Sequence, residues 1–282
     1  MPTFSRDFRP DAAPADEVIG LPRDLLDTPI VDHRHAVLAA EAGVQDLVMT
    51  DDMPVPAPSL REGYYGERHH EWWLSGLLDA RKVEAALGPR EAVRHLDFGG
   101  CSGRVARHLA RLPGWECWLC DIQDRYVDWL ETHATRPIRA VTTSTQPHLP
   151  WADGTFDVIT AFSVFTHIDT FEIAWLLELR RVLKPGGLLY LTVHDEVIWE
   201  ALKTNDWLRG QFAGTMFGPF LDAALAAPQR DRLVMVDADA PAFTLNVFFT
   251  RDYLRRRWGR FFRSVEFLSG GHYPQSVVLL RP

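Results

Sequence analysis

The 282 residues are 46% hydrophobic, enough to bury one substantial core, so one domain with attachments is expected. A formal net charge of −8 argues against a protein that grips nucleic-acid phosphates, because such binding rests on lysine and arginine. No stretch approaches the roughly 20 apolar residues of a membrane span and Met1 to Asp16 lacks a signal-peptide core, so a cytoplasmic protein is expected, acting on a small molecule with neither a membrane nor a nucleic-acid partner.

Eight of the 19 prolines fall in the first 60 residues, and the run Met53-Pro54-Val55-Pro56-Ala57-Pro58 suits neither helix nor central strand. Residues 1–60 therefore read as an extended arm. From Glu71 to Leu87 the residues Trp72, Trp73, Leu77, Leu78, Val83, Ala86 and Leu87 recur at helical spacing, so residues 61–90 form a helical attachment at the start of a domain spanning 61–282.

Short apolar runs then alternate with amphipathic ones, the pattern of parallel strands joined by crossover helices. Strands are expected near Val93–Phe98, Glu116–Cys120, Ile138–Val141, Asp157–Phe162 and Leu188–Val193. Helices should begin near Gly103, Arg125 and Glu172, the last ending at Lys184-Pro185-Gly186-Gly187. Residues 196–260 are too long for a connection and read as a cap or insertion. Ser264–Leu268 and Ser276–Leu280, joined through Gly270-Gly271, read as an antiparallel pair.

Cys101, Cys117 and Cys120 are odd in number and sit in apolar surroundings, which is no disulfide framework. Cys117-Trp118-Leu119-Cys120 has metal-ligand spacing, but on a strand residues i and i+3 point to opposite faces, so no metal site is expected.

The chemistry concentrates at Leu96-Asp97-Phe98-Gly99-Gly100-Cys101-Ser102-Gly103-Arg104, a strand with an acid near its end, then a turn of small residues. Such a turn lets a ligand approach the main chain. Some 18 residues after Gly103, Asp121 and Ile122 close the second strand, where a carboxylate can accept from both hydroxyls of a ribose. Together these features imply a nucleoside-bearing cofactor.

From about Val93 to Thr192 the chain resembles the class I S-adenosylmethionine-dependent methyltransferases. The resemblance rests on the glycine turn, on Asp121, on Leu149-Pro150-Trp151-Ala152-Asp153-Gly154-Thr155-Phe156-Asp157-Val158-Ile159, and on Arg180-Arg181-Val182-Leu183-Lys184-Pro185-Gly186-Gly187. It implies an α/β fold: a Rossmann-like seven-stranded mixed sheet with helices on both faces, an antiparallel C-terminal strand pair, a helical N-terminal attachment and an insertion after strand five. It implies S-adenosylmethionine as cofactor. Asp97, Gly99, Gly100, Cys101 and Gly103 would surround its methionine part, Asp121 and Ile122 its ribose, Thr145 or Gln146 its adenine edge, and Phe162 and Ser163 its methyl side. Cys101 stands where the family's middle glycine belongs, and Thr145 where an aspartate is frequent. A nicotinamide dehydrogenase would want GxGxxG, which GGCSG is not.

Methyl transfer asks the protein to align the nucleophile, and a hydroxyl acceptor also profits from a base. Ligands bind beyond the carboxyl ends of the strands, which selects His167, His194 with Asp195 beside it, and His272. Aromatic residues of the two attachments, Tyr64, Tyr65, Trp72, Trp73, Trp199, Trp207, Phe212, Met216, Phe217 and Phe220, suit a ring-shaped or apolar acceptor. The basic stretch Arg251–Arg263 reads as the solvated face of a helix. O-methylation of a carbohydrate or secondary-metabolite intermediate is the first expectation. N-methylation, or a catalytically silent cofactor-binding partner, is the alternative.

Overall fold

A computed structural model describes residues 18–19, 29–62, 64–213, 218–236, 245–272 and 274–282. In chain order the helices are α1 (His33–Ala39), α2 (Val44–Met49), α3 (His69–Leu87), α4 (Ala106–Leu109), α5 (Asp124–His133), α6 (Glu172–Val182), α7 (Glu196–Thr204), α8 (Asp206–Ala213), α9 (Gly218–Ala226) and α10 (Arg251–Arg257). The strands are β1 (Val93–Phe98), β2 (Trp115–Asp121), β3 (Ile138–Thr142), β4 (Phe156–Ala161), β5 (Leu183–Val193), β6 (Arg232–Met235), β7 (Asn246–Phe249), β8 (Ser264–His272) and β9 (Gln275–Arg281). The chain divides into a first unit, residues 1–81 with 100–143, and a second, residues 82–99 with 144–282.

The principal sheet has the seven strands expected. Two of them, β2 and β3, belong to the first unit and pair in parallel from Cys117↔Ile138 to Asp121↔Thr142. The second unit contributes the order β8-β9-β5-β4-β1. There β1, β4 and β5 run parallel, while β9 lies antiparallel to both β5 and β8. The sheet is therefore mixed, with the antiparallel pair at its C-terminal end.

In the first unit the described part of the region expected to be an extended arm is folded from residue 33 onward. Residues 33–49 form two short helices whose Leu38, Val44 and Val48 pack on Trp72, Trp73, Leu74 and Leu77 of α3. The proline run is extended, with Val55–Pro56 pairing to Val18–Ile19, but Met53, Val55 and Ala57 are buried. The anchor is ionic: fully buried Arg107 pairs with Asp51 at 2.9 Å and donates to the carbonyls of Met53 and Pro54, while Trp73 Nε1 donates to Asp51. Two helices of seven and six residues are too short to show a periodicity, so the prolines dominated the sequence pattern. Residues 1–17 and 20–28 of the expected arm lie outside the described residues.

In the second unit, α6 stops at Val182 and β5 starts at Leu183, because Pro185 pushes its predecessor to extended backbone. Gly270 and Gly271 do not make the expected turn. They lie within β8, where the pairing register shifts between Leu268 and His272, and a Cβ on Gly271 would sit 2.6 Å from Val277 Cγ2. Glycine serves close strand approach there, with an irregular register.

The expected insertion, 196–260, holds α7 to α10 and the hairpin β6–β7. Ile198, Trp199, Leu202, Leu208, Leu221, Leu225, Met235 and Phe248 form its core. Buried Glu172 at the start of α6 ties it down, accepting from Trp258 Nε1 at 2.6 Å and pairing with Arg232 at 2.9 Å. Among the described residues no helix is long and apolar enough to cross a membrane.

Candidate functional site

In the first unit the small-residue turn meets the end of β2. Cys101 adopts φ +52°, a left-handed conformation that turns its N–H onto Asp121 Oδ2 at 3.0 Å. Gln123 N–H donates to Asp121 Oδ1, also at 3.0 Å. A carboxylate offers about four acceptor positions, so these two bonds orient Asp121 and leave capacity for a ligand diol. Asp121 is only 7% exposed, and burial, reinforced by the nearby charge of Glu62, pushes its carboxyl up to about 6. Gly103 (φ +81°) continues the turn, and a Cβ there would lie 3.1 Å from Leu130. Ile122 is exposed.

A segment of the N-terminal attachment is latched onto this turn. The carbonyl of Leu60 accepts from Ser102 Oγ at 2.6 Å and from the Cys101 thiol at 3.5 Å. Glu62 accepts from Gln123 Nε2 and from Arg125, each at 3.0 Å, and from the Tyr126 hydroxyl. Neither Leu60 nor Glu62 stands out in the sequence, because a backbone carbonyl has no residue signature and Glu62 follows no spacing rule.

In the second unit, buried Asp97 near the end of β1 accepts from Thr160 Oγ1 at 2.8 Å, and Thr160 in turn meets His95 Nε2 at 2.8 Å. Burial drives His95 down to about 3, so it is neutral. Gly99 adopts φ +68°, and a Cβ there would come within 2.5 Å of Val164 Cγ2, a close approach only glycine allows. Thr145 and Gln146 are exposed, with Gln146 N–H donating to Ser144 Oγ.

The segments after β4 and β5 meet the first residue of β9. Ser163 takes φ +59°, its N–H donates to Thr192 Oγ1 at 2.6 Å, and its hydroxyl meets the Gln275 amide, Nε2 at 3.0 Å and Oε1 at 3.3 Å. Gln275 Nε2 lies 3.5 Å from His194 Nε2. His194 is 4% exposed and rests against Phe248 and Phe212 at centroid distances of 4.9 and 5.7 Å. Among the described residues its Nδ1 has no hydrogen-bond partner, a state that costs about 1–3 kcal/mol for a buried polar group. Burial, with His167 adding like charge, holds the imidazole down to about 3. Phe162 packs at a tilt against Tyr190 and His272.

Asp195 is fully buried and both its oxygens are engaged. Oδ1 caps α7 by accepting from Val197 N–H at 3.0 Å, and Oδ2 accepts from Arg251 Nε at 2.6 Å. No hydrogen bond joins it to His194. The basic stretch is helical, as expected, with Arg251 on Asp195, Arg255 on Asp252 and Arg256 on Asp231. His167 donates through Nδ1 to the Leu245 carbonyl at 2.6 Å, which fixes the orientation of its ring.

Within the first unit, then, Gly100, Cys101, Gly103, Asp121 and Ile122 come together. Within the second, Phe162, Ser163, His167, His194 and Asp195 gather around β7 and β9. Thr192 and Gln275, not among the expected site residues, join them. The one visible signal is that Gln275 opens an otherwise apolar run. Trp72 and Trp73, expected as possible site walls, are core residues of the attachment. Met216 and Phe217 lie outside the described residues.

A family model described as a methyltransferase domain matches residues 96–191. The ubiquinone/menaquinone biosynthesis C-methyltransferase UbiE of Ralstonia pickettii is 34% identical over 168 residues, covering 53% of this chain and 63% of that protein. The malonyl-(acyl-carrier protein) O-methyltransferase of Geobacter sulfurreducens is 31% identical over 196 residues, covering 68% and 61%. A solved structure of an S-adenosylmethionine-dependent methyltransferase from Methanosarcina mazei is similar at TM-score 0.45 and 20% identity, over 69% of this chain and 95% of that one. The chain spans 60% and 63% of the first two curated relatives it matches.

Proposed function

We propose that this chain, whose residues 96–191 match a methyltransferase domain, is a class I enzyme that transfers a methyl group from S-adenosylmethionine to a small-molecule acceptor. The observation that carries this reading is Asp121, buried at the end of β2 and oriented by two backbone N–H groups with acceptor capacity to spare. Asp121 would hold the ribose hydroxyls. The main chain of Gly100 and Cys101, bared by the small-residue turn, would line the cofactor, with Asp97 near the end of β1 and Gly99 just after it contributing as well. Thr145 or Gln146 would take the adenine edge, and Phe162 and Ser163 the methyl side. The cofactor supplies a methyl group already activated on a sulfonium, so the protein's own work is alignment and exclusion of water.

A hydroxyl acceptor, the reading preferred from the sequence, must lose a proton. Of the two histidines proposed for that role His167 suits it better than His194. Its Nδ1 is fixed on the Leu245 carbonyl, which orients the ring, and it is half-buried where His194 is fully enclosed. His194, held near 3, stays neutral at physiological pH and is a poor proton acceptor. Asp195 is committed to capping α7 and to Arg251 and makes no hydrogen bond to His194. The carbon-directed activity in the name of the Ralstonia relative makes C-methylation the competing reading, and it predicts no base at His167 for an acceptor that is already anionic.

Calorimetric titration of S-adenosylmethionine and, separately, NAD into the native chain and Asp121→Ala tests the cofactor. Micromolar binding of S-adenosylmethionine, lost in the variant, is expected. Binding of NAD alone, or of neither, overturns the proposal.

A further inference from the structure

His194 is a buried titratable group near the strand ends that the proposed reaction does not use, and its surroundings are polar on one side only. Its Nε2 faces the Gln275 amide nitrogen at 3.5 Å, while its Nδ1 is enclosed and has no partner among the described residues, and its ring lies against Phe248 and Phe212. An amide nitrogen donates, so with Gln275 in this orientation the imidazole accepts at Nε2 and carries its proton on Nδ1. The amide is in turn held by the Ser163 hydroxyl. Ser163 keeps a left-handed backbone that a non-glycine residue adopts only when its surroundings enforce it, here through the Thr192 hydroxyl at 2.6 Å. The result is an N–H donor pre-aimed from one side, with its own hydrogen bond unmade, in an aromatic wall.

Resting on the methyltransferase reading, we propose that His194 is the recognition donor for an oxygen of the methyl acceptor, and that Gln275, backed by Ser163, is the positioning residue that fixes its Nδ1–H tautomer. The acceptor class is a ring-bearing molecule with a carbonyl, ether or hydroxyl oxygen set beside the position that is methylated. The recognised oxygen is not the attacking one, because a hydrogen bond donated to an oxygen draws electron density from it and lowers its nucleophilicity. This gives the site selectivity without proton transfer. An oxygen-bearing ring satisfies Nδ1, whereas a hydrocarbon of equal shape leaves it unpaired.

The test uses the full chain with ¹⁵N-labelled histidine and saturating S-adenosylhomocysteine, and two probes of matched shape, acetophenone and isopropylbenzene. At neutral pH the His194 ring should show the neutral Nδ1–H pattern. Gln275→Glu, which offers only oxygen to Nε2, should reverse it to Nε2–H, and Gln275→Met should leave a mixture. A residue that merely fills space would not move this signature. Acetophenone should shift the Nδ1 resonance and bind about tenfold or more tighter than isopropylbenzene, the discrimination expected when a buried donor finds or lacks its partner, and His194→Phe should abolish the difference. A native Nε2–H or imidazolium pattern, equal binding of the two probes, or binding of neither overturns the proposal. If S-adenosylhomocysteine itself does not bind, the methyltransferase reading fails. The tautomer and the ratio between probes, read on cofactor-free protein, still settle the role of His194.

Discussion

Arg251 donates through Nε to Asp195 Oδ2 at 2.6 Å, and the other oxygen of Asp195 caps α7. Asp195 is fully buried whereas Arg251 is a quarter exposed, so removing the arginine strands a carboxylate that cannot reach water. Arg251→Met should destabilise the chain by about 3 kcal/mol, the lower end for breaking a buried pair, read by urea denaturation. Asp195→Asn keeps an oxygen for the cap and should lose stability while turnover stays close to native. Loss of turnover by orders of magnitude in folded Asp195→Asn would return Asp195 to the chemistry.

The two hydroxyls expected to bind Asp121 can do so together only when it is ionised. Because its carboxyl is raised to about 6 in the free protein, affinity for S-adenosylmethionine should be flat above pH 7 and weaken as pH falls through 6. Asp121→Asn should bind weakly with no such pH dependence. Titrations across this range check the sign. Affinity that strengthens toward acid would remove Asp121 from the ribose site.

Gly99 sits at φ +68° with Val164 Cγ2 where its Cβ would be. Gly99→Ala should cost about 2–3 kcal/mol, combining left-handed strain of about 1–2 kcal/mol with the clash. Val164→Ala in the same chain should recover the clash but leave the strain. A double-mutant cycle with no coupling between the two positions would show that backbone conformation alone demands the glycine.

These cases show what the sequence can and cannot convey. The glycine turn and Asp121 were legible because cofactor approach restricts residue type at fixed spacing, and the strands because buried parallel strands read as unbroken apolar runs. The folded nature of residues 33–49 was hidden behind the prolines, since its anchor is a long-range pair, Asp51 with Arg107, that has no local pattern. The order of merit of the histidines was hidden for the same reason. His194 and His167 look alike in the sequence, and only burial and the Leu245 carbonyl separate them.

Buried titrating groups set the pH dependence of stability, and their signs oppose. His95 and His194 are held to about 3 and His108 well below its ordinary value, all mainly by burial, so all three are neutral in the fold. Once unfolded they take up protons below about pH 6.5, so each lowers stability by about 1.4 kcal/mol per pH unit as the medium acidifies from there toward the folded values. Asp121 works the other way. Its carboxyl holds a proton up to about 6 when folded and releases it down to the ordinary value of 3.8 when unfolded, so its contribution rises as pH falls through that window. Near pH 5 His95 and His194 outweigh the one carboxyl by about one proton, or roughly 1.4 kcal/mol per pH unit, and His108 acts in the same direction as the other histidines. Urea denaturation between pH 6 and pH 4.5 should show the chain losing stability toward acid. His194→Phe should flatten that slope by one proton and Asp121→Asn should steepen it by one. If instead Asp121→Asn flattened it, the carboxyl would be ionised in the fold, and the tight enclosure of Asp121 would have to be relaxed in solution.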